Sequence, residues 1–394
     1  MKILRRLFRW SLLIIVVLVL LELGGFALNR ILSQSRSVTL RQFDFPIQTL
    51  PISGHLKLAT YNICRGKGDE SNSRSMDHPA EMFGRLDAIA DLLVAEQPDI
   101  VVLEELDFDC DETGRINQAE YIARKSGYPY VVEQKDIDAN TLLFFHYQQG
   151  NAVLSRYPIR SAQLIPLPGY VAWETILGGK THGVLCAIEL NPKTTIQLFA
   201  THLESRSEIV RLESVQIIES LRQTIREPFL VVGDLNTSPK SSLATGIGAD
   251  KSAIASLYSS GAYKTLPLEA PTAADTTLDI GSAPYVIDWI LVPTNWPILE
   301  KKVIRSTASD LRTDRIRHRL VATEPANRKT RPCQQRKISC PRILPAPSAT
   351  GGKNTSFVRT NRCCCASNCF NCTSHIGTQS GVRNCRRSLI LASH

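Results

Sequence analysis

The chain has 394 residues, a formal net charge of +9 and 43% hydrophobic residues, which is enough for one or two domains with a substantial core. The charge is uneven: residues 326–394 contain 12 Lys and Arg and no Asp or Glu, whereas residues 40–325 contain 28 Lys and Arg against 36 Asp and Glu. An acidic main body is not the composition of a general binder of nucleic-acid backbones.

The first 28 residues have the pattern of a membrane segment. Residues 1–9 carry basic side chains, and the apolar run at 10–28 contains a single charged residue, Glu22. Its length approaches the roughly 20 residues that span a bilayer. Because basic residues favour the cytoplasmic side, we expect a single-pass signal anchor with a cytoplasmic N-terminus and an extracytoplasmic body. A cleaved signal peptide is the alternative, and the long apolar run favours the anchor.

Behind the apolar run, residues 29–54 contain spaced serines and two prolines and are predicted to be a linker. The body, 55–325, alternates two kinds of segment. The predicted strands are 56–61, 100–103, 151–154, 183–190, 195–200, 229–232, 286–292 and 319–322, and the predicted helices are 78–96, 118–125 and 208–226. This alternation indicates a layered α/β or α+β fold.

The central segment of the body is the apolar run at 229–232, which is typical of a strand buried on both faces. It ends in Gly233, Asp234, Leu235 and Asn236. In an extended chain, residues two apart point the same way, so we expect Asp234 and Asn236 to project together. A carboxylate and an amide can hold a water molecule and a phosphate oxygen. An Asx turn that caps the strand is the alternative.

Other predicted strands also end in polar residues. Asn62 follows one strand, Glu104 and Glu105 follow another, and His202 follows a third. Each of these also has a simple interpretation as a turn former or a solvated strand end. Asp288 is different because it lies inside an apolar run, where an unpaired carboxylate is costly. It requires a partner such as a histidine or a metal ion.

Six of these segments, in order, resemble the endonuclease/exonuclease/phosphatase superfamily, which includes DNase I-like nucleases, abasic-site endonucleases, inositol polyphosphate phosphatases and neutral sphingomyelinases. The segments are 60–63, 99–105, 150–159, 201–203, 233–239 and 287–290. The resemblance covers residues 56–323. It implies an α/β (α+β) fold of DNase I type, a four-layer sandwich of two packed mixed sheets flanked by helices, with the active site at one edge.

The resemblance also implies a metal-dependent phosphoester hydrolase that uses Mg²⁺, with Mn²⁺ as a second option. Asn62 and Glu105 would hold the metal, since both offer hard oxygen donors. Asp234 would orient or deprotonate the attacking water, and Asn236 would hold the water and a phosphate oxygen. His202 would donate a hydrogen bond to the charge that develops on the phosphoryl group.

Two further roles follow from the resemblance: Asn151 would contact the substrate, and Asp288 would orient His318. The family's closing Ser-Asp-His motif is absent, and Arg317 stands before His318 where an aspartate is expected. Asp310 or Asp314 could replace the missing carboxylate through a loop rearrangement. A positive charge near the metal makes a catalytically impaired pseudoenzyme, which binds a phosphorylated ligand without turnover, the alternative function.

The tail at 326–394 is basic and rich in cysteine, with few large apolar residues. We predict that it is disordered or the product of a frameshift. The Cys-x-x-Cys spacing of Cys369 and Cys372 makes a zinc site one alternative, and a basic tether for nucleic acid or anionic lipid is another. The substrate class stays open between nucleic acid, phospholipid and inositol phosphate, and the protein is expected to be a monomer.

Overall fold

The structure is a computed structural model. It describes residues 2–32, 38–45, 55–66, 79–141, 146–174, 178–238, 252–266, 272, 275–277, 285–304, 322–323 and 389–393. Arg317, His318, Asp310 and Asp314 lie outside the described residues, as do the cysteines of the tail.

The larger of two mixed sheets contains eight strands among the described residues. These are β1 (Val38–Gln42), β2 (Lys57–Asn62), β3 (Ile100–Cys110), β4 (Tyr130–Asp138), β5 (Tyr147–Ser155), β12 (Glu300–Ile304), β13 (Ala322–Thr323) and β14 (Leu389–Ser393). Their order is β1-β4-β5-β3-β2-β14-β12, with β13 beside β14. β2 and β3 are parallel, so Asn62, the last residue of β2, lies beside Glu104 near the middle of β3.

The second sheet contains six strands of the described chain. These are β6 (Ile159–Pro166), β7 (His182–Asn191), β8 (Thr194–Ala200), β9 (Phe229–Asp234), β10 (Tyr263–Lys264) and β11 (Asp288–Pro293). Their order is β10-β11-β9-β8-β7-β6. β8 is parallel to β9, whereas β11 is antiparallel to β9 and places Asp288 directly opposite Asp234.

Helices cover the outer faces of both sheets and complete four layers. Those on the larger sheet are α2 (Pro79–Glu96) and α3 (Gln118–Ser126), and those on the second sheet are α4 (Glu208–Thr224) and α5 (Ala253–Ser259). In β9, Leu230 and Val232 belong to the core between the sheets, whereas Phe229 and Val231 face the core beneath α4 and α5. Because alternate side chains of a strand point to opposite faces, this central strand is apolar throughout. The structure therefore confirms the predicted fold class.

The N-terminal helix α1 (Lys2–Leu32) is long and apolar enough to cross a membrane, a property that anchors and signal sequences share. None of its residues is buried. The structure differs from the predicted linker at 29–54, because the helix continues to Leu32 and β1 pairs with β4. The partner of β1 lies about ninety residues further along the chain, so local composition gives no indication of the pairing.

One strand lies inside the tail that was predicted to be disordered. β14 pairs antiparallel with both β2 and β12, and β13 pairs parallel with it. The segment is Leu-Ile-Leu-Ala-Ser, an apolar run of the kind that fits between two strands. β13 also supplies the end of the strand predicted at 319–322, and the prediction for the remaining tail falls on residues that are not described.

Candidate active site

The two sheets meet where β2 and β9 end, beside the middle of β3 and the residues that follow β8. The Asn62 amide Nδ2 donates to Asp234 Oδ2 at 3.1 Å and so joins one sheet to the other. Asn62 Oδ1 accepts from the backbone N–H of Cys64 at 3.0 Å, which fixes the orientation of the amide. Both side chains are buried. The structure thus brings together two residues that the sequence predicted separately.

Asp234 uses its two oxygens for different purposes. Oδ1 accepts from the backbone N–H of Asn236 at 3.0 Å. This is the Asx turn that the sequence analysis gave as the alternative for Asp234. Oδ2 points to Asn62 and lies 3.4 Å from His202 Nε2. Asn236 has a φ of 49°, and its Nδ2 donates to the carbonyl of Leu203 at 2.8 Å. One oxygen therefore holds the turn, and the other faces the cluster.

Gly233 allows β8 and β9 to approach each other just before the site. Its φ is 144°, and a Cβ at this position would overlap the carbonyl oxygen of Thr201. Only glycine accepts both the dihedral angle and the close contact. His202 follows Thr201 and Asp234 follows Gly233 along the chain, so this contact brings the two side chains close together.

The His202 imidazole lies at the centre of the cluster and is 1% exposed. Its Nε2 is 3.4 Å from Asp234 Oδ2, 3.9 Å from Glu105 Oε1 and 2.5 Å from the ammonium nitrogen of Lys180. Sequence reasoning missed Lys180, which lies between β6 and β7. The Gly178-Gly179 pair before it is the signal in the sequence, because two glycines let a loop lie close against other backbone.

The neighbours Glu104 and Glu105 have different environments. Glu104 is fully buried and accepts from the Thr60 hydroxyl at 2.5 Å. Glu105 has a φ of 55°, and the pairing of β3 with β5 shifts register between Leu103 and Leu106. Such a bulge redirects a side chain, and a positive φ at a non-glycine residue is strained. The result is that Glu105, 17% exposed, is the carboxylate that a ligand can reach.

Asp288 and Asp234 form a buried pair of carboxylates on neighbouring strands. The backbone N–H of Asp288 donates to the Thr277 hydroxyl at 3.3 Å, which holds the start of β11 in place. Its predicted histidine partner, His318, lies outside the described residues, so the orienting role of Asp288 stays a prediction.

Asn151, the predicted substrate contact, is buried beside the cluster. Its Nδ2 donates to Gln134 Oε1 at 2.7 Å and to Asp136 Oδ2 at 3.0 Å, and Gln134 Nε2 donates to Asp136 Oδ1 at 2.7 Å. Within the described residues, Asn151 Oδ1 has no hydrogen-bond partner. The amide nitrogen is therefore engaged by the protein, the oxygen is buried, and the substrate contact of Asn151 stays a prediction.

Asp136 is an ionisable group of the site that sequence reasoning did not identify. Burial raises the pKa of Asp136 to about 7, and the hydrogen bond from Gln134, the charge of Lys180 and the hydrogen bond from Asn151 oppose this increase. The charge of Glu105 adds to it. Asp136 is thus coupled electrostatically to residues on both sides of the cluster.

The donor set fits a hard divalent cation that keeps most of its water. No group of three or more His, Cys, Asp or Glu side chains able to hold a metal occurs in the described part of the chain. Mg²⁺, however, commonly uses only one or two protein carboxylates, and the Glu105 carboxylate and the second lone pair of Asn62 Oδ1 are donors of this kind.

Two mixed sheets in a four-layer arrangement, with a polar cluster at their joined strand ends, define a DNase I-like α/β sandwich. The chain belongs to the Endonuclease/Exonuclease/phosphatase family, whose model matches residues 59–310. Members of this family are generally phosphoester hydrolases and typically use divalent metals. No curated protein matches the chain.

Several solved structures are similar in fold. A family protein from Bacteroides thetaiotaomicron is 14% identical over 65% of this chain and 90% of its own, with a TM-score of 0.46. A mannosyl-6-phosphatase from the same organism is 15% identical over 63% of this chain and 89% of its own, with a TM-score of 0.45. The human Nocturnin catalytic domain is 13% identical over 68% of this chain and 88% of its own, with a TM-score of 0.40.

Proposed function

We propose that the protein is a membrane-anchored hydrolase of phosphoester bonds that depends on Mg²⁺ or Mn²⁺. The observation that carries the proposal is the convergence of Asn62 Nδ2 and His202 Nε2 on one oxygen of Asp234, at 3.1 and 3.4 Å. A buried carboxylate oxygen between two nitrogen groups, at an edge reached by Glu105 and Lys180, suits the activation of a water molecule beside a phosphate.

In the proposed reaction, Asp234 Oδ2 accepts a proton from the attacking water. The water oxygen bonds to phosphorus, the bond from phosphorus to the leaving oxygen breaks, and the leaving oxygen takes up a proton from solvent. Asn62 orients Asp234 through its amide hydrogen bond. Glu105 and Asn62 would hold the divalent cation, which polarises the phosphoryl oxygen and neutralises charge.

Lys180 and His202 supply the positive side of the site. Their nitrogens lie 2.5 Å apart, close enough for one phosphate oxygen to accept a hydrogen bond from each. An entering phosphate would therefore replace the direct Lys180–His202 contact. Both groups would then stabilise the negative charge that develops on the phosphoryl oxygens.

The experiment that tests the proposal is Asp234→Asn in the full-length protein, assayed with a generic aryl phosphodiester and excess Mg²⁺. Turnover should fall by about 10²–10⁴-fold with little change in KM, because the variant cannot accept the proton. The matched control is Asp91→Asn, which alters an exposed carboxylate on α2. An unchanged urea midpoint would exclude misfolding as the cause, and turnover near that of the wild type would refute the role of Asp234.

The alternative is a pseudoenzyme that binds a phosphorylated ligand, and Arg317 in place of the family aspartate is the observation that favours it. It predicts retention of the ligand without metal-dependent turnover. A screen of the full-length protein against nucleic acid, phospholipid and inositol phosphates distinguishes the two functions and identifies the substrate class. We further propose that the N-terminus is cytoplasmic, because the basic residues precede the apolar run. We also propose that the protein is a monomer.

A further inference from the structure

We propose that the active-site edge faces the bilayer in which α1 is inserted, and that the substrate is therefore the phosphoester headgroup of a membrane lipid. The inference rests on the proposed function and on retention of α1 in the mature protein. It depends on three observations: where α1 meets the body, how far that point is from the catalytic cluster, and which side chains surround it.

The last turn of α1 is bound to the carboxyl end of β4. Arg30 Nη1 donates to the carbonyl of Asp138 at 2.8 Å, and Asn29 Nδ2 donates to the Asp138 carboxylate at 3.3 Å. The Asn29 carbonyl oxygen Oδ1 in turn accepts from the backbone N–H of Asn140 at 3.1 Å. These three hydrogen bonds fix the end of the apolar helix on one particular edge of the sandwich.

That edge is the edge of the catalytic cluster. β4 and β3 are both antiparallel to β5, so they run in the same direction. Leu106, next to Glu105, pairs with Gly150 of β5, which also pairs with Lys135 of β4, three residues before Asp138. Asp138 is two residues, or about 7 Å, beyond Asp136. The Asp136 carbonyl accepts from the Gly179 N–H at 3.0 Å, and the following residue, Lys180, contacts His202.

The depth of the edge relative to the bilayer follows from the sequence of α1. The apolar run ends at residue 28, immediately before Asn29 and Arg30. Polar residues at that position lie in the headgroup layer, so the edge that they bind lies there as well. An attachment at the opposite edge would have put the cluster further from the membrane by the length of β4, about 30 Å for nine residues.

The loop between β6 and β7 adds aromatic side chains to the same edge. Tyr170 is 47% exposed and Trp173 is 52% exposed, and both precede Lys180 in this loop. The buried Glu174 carboxylate accepts from the Tyr170 N–H at 2.8 Å and pairs with Arg206, which also pairs with Glu204 at 2.6 Å. A segment that exposes Trp and Tyr is suited to a membrane interface, where an apolar ring and a polar tip are both accommodated.

The first test measures orientation with the full-length protein in phosphatidylcholine vesicles that contain a lipid with a headgroup nitroxide quencher. Trp10 lies in α1 and would itself be quenched, so the measurement uses a Trp10→Phe background. Trp289 and Trp296 are buried, which leaves Trp173 as the accessible fluorophore of the described body. Strong quenching that disappears in Trp10→Phe/Trp173→Phe is expected. An unquenched Trp173, or a mature protein that lacks α1, would overturn the inference.

The second test measures substrate class in the same vesicles. Each of several phospholipids, present as a minor component, is compared with its water-soluble headgroup ester. The anchored enzyme should prefer one lipid over the soluble counterpart by about 10²-fold, as effective concentration predicts. Asn29→Ala/Arg30→Ala should remove most of this preference and leave turnover of the soluble ester unchanged. The matched control is Leu299→Ser, because Leu299 is exposed and immediately precedes β12 at the opposite edge.

The outcomes separate this inference from the proposed function. Asp234-dependent turnover of soluble esters with no preference for lipid would refute the lipid substrate and leave the proposed function in place. Quenching of Trp173 without turnover of any phosphoester would uphold the orientation and refute the proposed function. Preferred turnover of nucleic acid would refute the lipid substrate.

Discussion

Asp136 gives a prediction about stability that needs no knowledge of the substrate. Asp136 lies at the edge between Asn151, Gln134 and Lys180, and its carboxylate is buried. We predict that Asp136→Asn flattens the dependence of the free energy of unfolding on pH. The variant keeps the size of the side chain and removes the only proton that this position can exchange.

The magnitude and sign follow from linkage. Burial raises the pKa of Asp136 from its ordinary value of 3.8 to about 7, so between these values the folded state binds more protons than the unfolded state. The free energy of unfolding therefore falls as pH rises through that window. A shift of about 3 pH units corresponds to a loss of about 4 kcal/mol between pH 4 and pH 7, since each unit is worth about 1.4 kcal/mol.

The assay is urea unfolding at a series of pH values, in a mild detergent and with EDTA. It uses a Trp10→Phe/Trp173→Phe background and follows the fluorescence of buried Trp289 and Trp296. The absolute stability of Asp136→Asn is a separate quantity, because its amide would meet a donor from Gln134 or Asn151 and lose a hydrogen bond. We therefore compare wild type and Asp136→Asn by the slope of the free energy of unfolding against pH between pH 4 and pH 7. Asp91→Asn is the control for an exposed carboxylate. An identical slope in wild type and Asp136→Asn would refute the reasoning.

The remaining predictions concern the site. Glu105→Gln should raise the Mg²⁺ concentration that gives half-maximal turnover, with partial rescue by excess metal; an unchanged titration would remove Glu105 from the metal site. Arg317→Asp should increase Mg²⁺ affinity and turnover together, by up to about 10–100-fold, and His318→Ala in that background should abolish the gain. If neither quantity changes, the carboxylate of the missing Ser-Asp-His motif is supplied from elsewhere in the chain. Lys180→Met should lower kcat/KM by about 10–100-fold through loss of a charge-assisted hydrogen bond, whereas exposed Lys193→Met should have no effect.

Much of the site could be predicted because its residues follow strands with strong apolar patterns. Asn62 and Asp234 are the last residues of β2 and β9, and His202 comes shortly after β8, as the sequence predicted. Glu105 instead lies at a bulge within β3, which continues to Cys110. The parallel pairs β2–β3 and β8–β9 bring these residues to one place. The direction of β9 and the burial of both its faces follow from the same pattern. Local sequence therefore carried the information about which residues converge.

The residues that were missed lack a local pattern. Lys180 reaches His202 from a loop whose position depends on Gly178, where a Cβ would contact the backbone of Ile137. Asp136 lies on a strand whose alternation is obscured by several buried polar side chains. Their roles arise from contacts between segments distant in sequence. The pairings of β1 and β14 arise in the same way.

The charge balance at the edge explains why a divalent cation suits this site. Glu104, Glu105, Asp136, Asp234 and Asp288 bring five carboxyl groups to the joined strand ends, whereas His202 and Lys180 are the basic side chains found among them in the described chain. Buried charges of one sign repel each other strongly in a medium of low dielectric constant. Burial is the main cause of the raised pKa of Asp136, and the charge of Glu105 adds to it. Protonation relieves the repulsion at Asp136, but it would disable Asp234 as a proton acceptor. Under the proposed function, a cation beside Glu105 would relieve the same repulsion without a proton on Asp234, so metal binding and water activation would depend on the same excess of negative charge.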